Sequence, residues 1–123
     1  MIKLVFALRR RSDLTLEEFQ AYWRGTHAPL VAERADVLKI RRYVQCHTAD
    51  LAGLHAAFRR RNGGAPPPFD GVAELWFDSL EDLGGDDPAN NKARAELLAD
   101  EANFIDLANS PMWLATENEV IGD

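Results

Sequence analysis

Three histidines, three tryptophans and a few well-placed carboxylates are the side chains of this chain that could move a proton or grip a ring. His27 has the best-defined setting. Leu16, Phe19, Trp23 and His27 recur at helical spacing, so one helix face carries three apolar side chains and an imidazole. An imidazole held there titrates near neutrality and can act as acid or base. A core histidine satisfied by a backbone carbonyl has the same pattern, so both readings stand. Tyr43, Gln45 and His47 alternate along a second segment. A phenol, an amide and an imidazole in line could orient an oxygenated ligand, or could simply form a polar strand face. Apolarity alone turns their neighbours Ile40, Val44 and Cys46 toward the core. Glu74 falls in mid-strand, where a carboxylate needs either a raised pKa or a cation such as Lys3 or Arg42. General acid–base work and an inter-sheet ion pair are its two readings. Phe19, Trp23, Trp76, Phe104 and Trp113 could line an aromatic pocket or serve as plain core. Cys46 reads as a small hydrophobe, Asp70 as a turn residue and His55 as an exposed helix position.

The elements that must position these groups can be read from the spacing. Thr15 and Glu18 form a capping box, which starts a helix at Leu16. Pro29 cannot donate to the carbonyl of Gly25 and disfavours helical dihedrals at Ala28. The helix is therefore expected to kink or restart there, with Pro29 at the first position of a new turn and His27 at the joint. That pocket should hold a neutral imidazole, because burial and the nearby helix start both disfavour its protonation.

Ile2–Arg9 alternates cleanly, with Ile2, Leu4, Phe6 and Leu8 on one face. Lys39–His47 is the second expected strand, and Asp50–Arg61 a short helix with Leu51, Leu54 and Phe58 on one stripe. The run Asn62–Pro68, NGGAPPP, can only be a loop, and its two glycines and three prolines suggest a mobile flap. Gly71–Asp78 is the third strand. Pro88–Ala108 is mostly helical, with Ala93, Leu97, Phe104 and Ile105 buried, and Met112–Ile121 is the fourth strand. The class is α+β. The order strand–helix–strand–strand–helix–strand predicts a ferredoxin-like βαββαβ fold with a four-stranded antiparallel sheet, in one domain spanning 1–123. The second face of the strands mixes Val5, Val72, Trp76 and Trp113 with Lys3, Glu74, Glu117 and Glu119. Such a face is poorly suited to water, and two stacked copies would bury it as a dimeric α/β barrel.

The chain has 123 residues, 46% of them hydrophobic, and a net charge of −6, which argues against nucleic acid as a partner. The triplets Arg9–Arg11 and Arg59–Arg61 read as solvated element ends. The single cysteine precludes an internal disulfide or a cysteine-based zinc site. There is no dinucleotide-binding glycine pattern, no phosphate loop and no HExxH. No signal-peptide or membrane-spanning pattern is present, and the expectation is a cytoplasmic protein with no membrane contact.

Several blocks in order carry a family resemblance: LTLEEFQAYWRGTHAPLV, RRYVQCH, FDGVAELWFDS, DEANFID and ENEVI. Together they resemble the EthD domain family, named for ethyl tert-butyl ether degradation, within the dimeric α/β-barrel superfamily. The resemblance implies the fold, a homodimer and a hydrophobic small-molecule ligand, with no metal and no bound cofactor. It raises His27, in HAPL, and the Tyr43–Gln45–His47 block as site residues. It implies proton-transfer chemistry of cyclase, dehydratase, isomerase or cofactor-free oxygenase type on an oxygenated, aromatic or polyketide-like molecule. A non-catalytic ligand-binding or accessory protein, an EthD-type oxidoreductase and a haem-dependent relative are the alternatives.

Overall fold

Alternation along the first strand decides which side of the sheet becomes the core. A computed structural model describes residues Met1–Asp123. Four strands, β1 (Ile2–Leu8), β2 (Arg42–His47), β3 (Gly71–Phe77) and β4 (Met112–Ala115), form one antiparallel sheet in the order β2-β3-β1-β4. The connections carry α1 (Leu16–Tyr22), a π-helical turn (Trp23–His27), α2 (Ala28–Glu33), α3 (Ala35–Leu38), α4 (Ala52–Arg61), α5 (Leu80–Leu83) and α6 (Pro88–Glu101). This is the α+β, ferredoxin-like arrangement expected from the spacing.

Phe6, Leu8 and Ala73 face the helices and pack with Phe19, Trp23, Phe104 and Ile105 into the main core. A second cluster joins Val31 and Leu38 to Ala93 and Leu97 of α6. The other face of the sheet carries no helix. There Lys3 Nζ donates to Glu74 Oε2 at 2.8 Å, and the Trp76 indole donates to Glu117 Oε1 at 2.6 Å. Arg42 stacks on the Trp76 ring at 4.6 Å.

The expected capping box is present: Glu18 N–H donates to Thr15 Oγ1 at 3.1 Å, and Thr15 N–H to Glu18 Oε1 at 2.9 Å. Three boundaries differ from expectation. Ala28 stays helical, at φ −56° and ψ −44°, and the helix runs through Pro29 without a break. The chain widens into a π turn instead, in which the Ala28 N–H reaches the Trp23 carbonyl. Widening moves the Gly25 carbonyl off the proline ring, so the missing donor is absorbed without a kink. β2 starts at Arg42 rather than Lys39, because Lys39 adopts φ 59° to close α3. β4 ends at Ala115 rather than Ile121. Its only neighbour is β1, and Ala115 already pairs with Lys3 near the β1 start, so no strand remains to pair with Glu117–Ile121. Leu51, Leu54 and Phe58 of α4 are each about half exposed. The Asn62–Pro68 loop is tied down by Arg9, which donates to the Pro68 carbonyl at 2.7 Å, and by Arg59, which donates to that of Ala65 at 2.8 Å. No helix is long and apolar enough to cross a membrane.

Gly71 fixes how closely the π turn approaches the sheet. A Cβ there would overlap the Trp23 ring, reaching its Cη2 at 2.9 Å and the Cys46 carbonyl at 3.1 Å. Trp23 is buried and cannot swing away. Gly71→Ala should destabilise the fold by about 1–3 kcal/mol, read by denaturant unfolding with Trp23 fluorescence as reporter. A neutral outcome would mean that the turn is not held this tightly.

Candidate functional site

The π turn turns both Trp23 and His27 into the core. Burial forces every polar atom of His27 to find a partner or a cavity. Its Nδ1 lies 2.7 Å from Asp100 Oδ2, at the last turn of α6. The Tyr22 hydroxyl donates to the other Asp100 oxygen at 2.6 Å, and Asn103 Nδ2 lies 3.4 Å from that same oxygen. Phe104 lies beside the imidazole, ring centroids 5.0 Å apart. The ring is therefore held by packing and by a single anchored carboxylate.

The electrostatics define the protonation states. Burial pushes the Asp100 carboxyl up, but hydrogen bonds from Tyr22 and His27 outweigh it and its pKa lies below the usual value. Burial dominates at His27, whose pKa is lowered despite the pull of Asp100. A neutral imidazole beside an ionised carboxylate must carry its proton on Nδ1. Nε2 then presents a lone pair, and no protein group takes it.

His27 faces a chamber of about 60 Å³ between the π turn, the sheet and α6. At roughly 30 Å³ per water, that is space for a carbonyl-sized group. Tyr43 and Glu101 are the other polar residues on its wall. Tyr43 Oη accepts from Gln45 Nε2 at 2.9 Å, which leaves its own proton for a further partner. Glu101 has no hydrogen bond to any side chain, and burial followed by repulsion from Asp100 raises its pKa to about 7. A larger apolar cleft of about 500 Å³ adjoins the chamber between the sheet and α6 and shares Phe6, Leu75, Leu97 and Glu101 with it. No three His, Cys, Asp or Glu side chains converge on one point.

Of the residues singled out from sequence, His27, Trp23 and Tyr43 meet at the chamber. Gln45 points the same way and ties β2 to the π turn, donating to the Trp23 carbonyl at 3.0 Å. His47 shares that face but stacks on Trp23 at 4.5 Å and bonds Gln45 Oε1 at 2.8 Å, outside the chamber wall. Phe19 and Phe104 are fully buried behind His27 and act as packing rather than as lining. Glu74, Trp76 and Trp113 are not at the chamber, although Trp113 borders the outer cleft at the β4 edge of the sheet. The pairings Val5↔Glu74, Val5↔Trp113 and Lys3↔Trp76 put all three on the helix-free face. Glu74 is neutralised there by Lys3, whose hydrogen bond holds its pKa low, as an ion pair would.

Sequence reasoning missed Asp100 and Glu101. Both lie in the DEANFID block, whose polar pair ends a helix and reads locally as solvated surface.

Comparison with known proteins agrees with this architecture. The family model of the EthD domain matches residues 11–108. The chain belongs to the EthD domain family. An EthD-like protein from Ralstonia eutropha JMP134 is 20% identical, with 96% of each chain covered and a TM-score of 0.57. An ethyl tert-butyl ether degradation family protein from Bacillus halodurans C-125 is 16% identical, covering 96% of this chain and 99% of its own, with a TM-score of 0.60. A dimeric protein of unknown function and ferredoxin-like fold from Bacteroides fragilis NCTC 9343 is 14% identical over 93% of each chain, with a TM-score of 0.57. At such identities the solved structures bear on the fold alone. No curated protein matches the chain in sequence.

The position of Glu101 in this EthD domain has a consequence for stability. Its pKa is about 7 in the folded chain against an ordinary 4.5. Between these values the folded state keeps a proton that the unfolded chain has released. The stabilisation is complete below about pH 4.5 and is lost as pH rises through about 7. Glu101→Gln cannot ionise, so it should gain on the order of 1–3 kcal/mol over wild type at about pH 9 and little at about pH 5. Denaturant unfolding at the two pH values measures the difference. An equal effect at both would show that the carboxyl ionises freely in the fold.

Proposed function

We propose that this EthD-family protein is an enzyme that moves protons on an apolar, oxygenated small molecule, using its own side chains and no bound cofactor. The observation that carries the reading is the unpartnered Nε2 of His27, backed by Asp100 and facing a chamber beside an apolar cleft. A carboxylate that fixes the imidazole tautomer also stabilises the imidazolium formed when Nε2 takes a proton. An apolar ligand lying between the sheet and α6 would bring a carbon next to a carbonyl within reach of that nitrogen. Removal of the proton sends the bonding pair to the carbonyl oxygen and gives an enolate beside the His27 imidazolium. Return of that proton to another carbon is isomerisation. Its delivery to a departing β-hydroxyl, which leaves as water, is dehydration, and attack of the enolate on a second carbonyl, whose oxygen then takes the proton, is cyclisation. The dimensions of the cleft suit an aromatic or polyketide-like body.

The reading can be tested without the natural substrate, by following deuterium uptake from heavy water into the α-positions of a panel of aromatic methyl ketones. Wild type should accelerate exchange, His27→Asn should lose about 10²–10⁴-fold of it, and Asp100→Asn should lose at least about tenfold through the wrong tautomer. Ketones that bind but never exchange would overturn the catalytic reading in favour of ligand carriage without turnover.

We further propose a homodimer formed through the helix-free face of the sheet, which carries Val5, Trp113 and the Lys3–Glu74 pair. Its burial should exceed about 2,000 Å² in total. Light scattering should give a dimer at micromolar concentration, and Trp113→Glu should shift it toward monomer. A monomeric wild type would remove the proposal.

A further inference from the structure

Glu101 occupies a singular place. Four residues line both the outer cleft and the inner chamber, and the other three, Phe6, Leu75 and Leu97, are apolar. Glu101 is therefore the one ionisable group on the boundary between cleft and chamber. No cation neutralises it. The charged and titratable groups around it are Asp100 beside it, His27 from the π turn, Tyr43 from β2 and Arg94 on its own helix at the outer cleft. Arg94 is directed elsewhere, donating to the carbonyl of Gly85 and to Asn91. The β1, β3 and β4 side chains that line the cleft and face the helices are apolar.

We propose that Glu101, in its protonated form, is a second functional group of the site: it donates a hydrogen bond to the carbonyl oxygen of a ligand whose leading end is neutral. The inference rests on the reading of the cleft as a ligand site and names what that site selects. A carboxylate cannot donate, so an isolated ionised acid would be useless here. The Asp100 charge works against ionisation at Glu101, and the same charge penalises an anionic ligand end in the chamber. A ketone, in contrast, needs a donor for its oxygen, and Glu101 borders the same chamber as His27. If the α-proton then moves to Nε2, the electron pair reaches the oxygen as Glu101 holds or delivers its own proton. The carboxyl proton and the imidazole lone pair are thus matched to the two ends of one enolisation.

The test uses 2-acetylnaphthalene, which accepts but cannot donate, and naphthalene, which does neither. Binding is followed by fluorescence or calorimetry at about pH 6 and about pH 8.5, on either side of the Glu101 titration. Wild type should bind the ketone roughly tenfold more tightly at the lower pH. Glu101→Gln keeps an N–H donor and should bind it tightly at both. Glu101→Leu should bind it weakly at both. His27→Asn should retain the pH dependence, which separates the two titrating groups. Naphthalene should bind all of these alike at either pH. Ketone binding that ignores pH in wild type, or that survives undiminished in Glu101→Leu, would overturn the assignment while leaving the cleft as a ligand site. If neither compound binds, the cleft reading fails and takes this assignment with it.

Discussion

One partly buried carboxylate organises the site. Asp100 ends α6, yet its two oxygens are taken by Tyr22 and His27 from the first helical segment. A charge in this position is tolerated only while both oxygens stay bonded. That requirement ties α6 to the π turn and fixes the imidazole in one tautomer. The same charge lies next to Glu101 in the chain and opposes its ionisation. Burial is the larger cause of the shift at each neighbour, lowering the pKa of His27 and raising that of Glu101; the anion adds to the effect at Glu101 and fixes the tautomer at His27. Opposite protonation roles for adjacent groups are the usual mark of a site built for proton transfer.

The sheet separates two kinds of electrostatics. On its helix-free face, Lys3 pairs with Glu74 at 2.8 Å and lies 3.8 Å from Glu117, which also accepts from the neutral Trp76 indole. The carboxylates there are held by a cation and a donor rather than left open. On the helix side, Gln45 donates to the Tyr43 oxygen and the Trp23 carbonyl and bonds His47 through Oε1, so β2 presents a polar seam to the π turn that leaves the Tyr43 proton free. Gln45 is therefore a support for the turn that carries His27.

What the sequence made legible follows from local rules. The capping box, the inward phase of His27 and the alternation of β1 and β3 rest on interactions within a few residues, and all are present in the fold. The end of β4 was not legible, because it depends on where β1 runs out of pairing positions. The face of β2 was hidden for another reason. Val44 and Cys46 are the more apolar set, but hydrogen bonding to the Trp23 carbonyl outweighs them and turns Gln45 inward. Trp76 looks like a pocket aromatic until register assigns it to the other face, and Trp113, on that same face by register, reaches the outer cleft only at the sheet edge. Asp100 and Glu101 were invisible as site residues because a polar pair at a helix end is ordinarily solvated, and only tertiary packing of Tyr22, His27 and Phe104 encloses this one.

The π turn shows why this enclosure is possible at all. An α-helix broken at Pro29 would have exposed carbonyls beside His27 and invited water into the chamber. Widening the turn keeps the helix continuous, and the carbonyl of Trp23 receives two donors, the Ala28 N–H and Gln45 Nε2. The backbone around the imidazole is therefore satisfied by protein alone. Buried side-chain atoms without a partner also occur elsewhere, at Arg34 Nε, His47 Nδ1 and Asn90 Oδ1, but His27, Tyr43 and Glu101 are the three that border one chamber. What distinguishes these three is their convergence: an imidazole, a phenol and a carboxyl that border the same small space form a site whose groups can act on one ligand atom together.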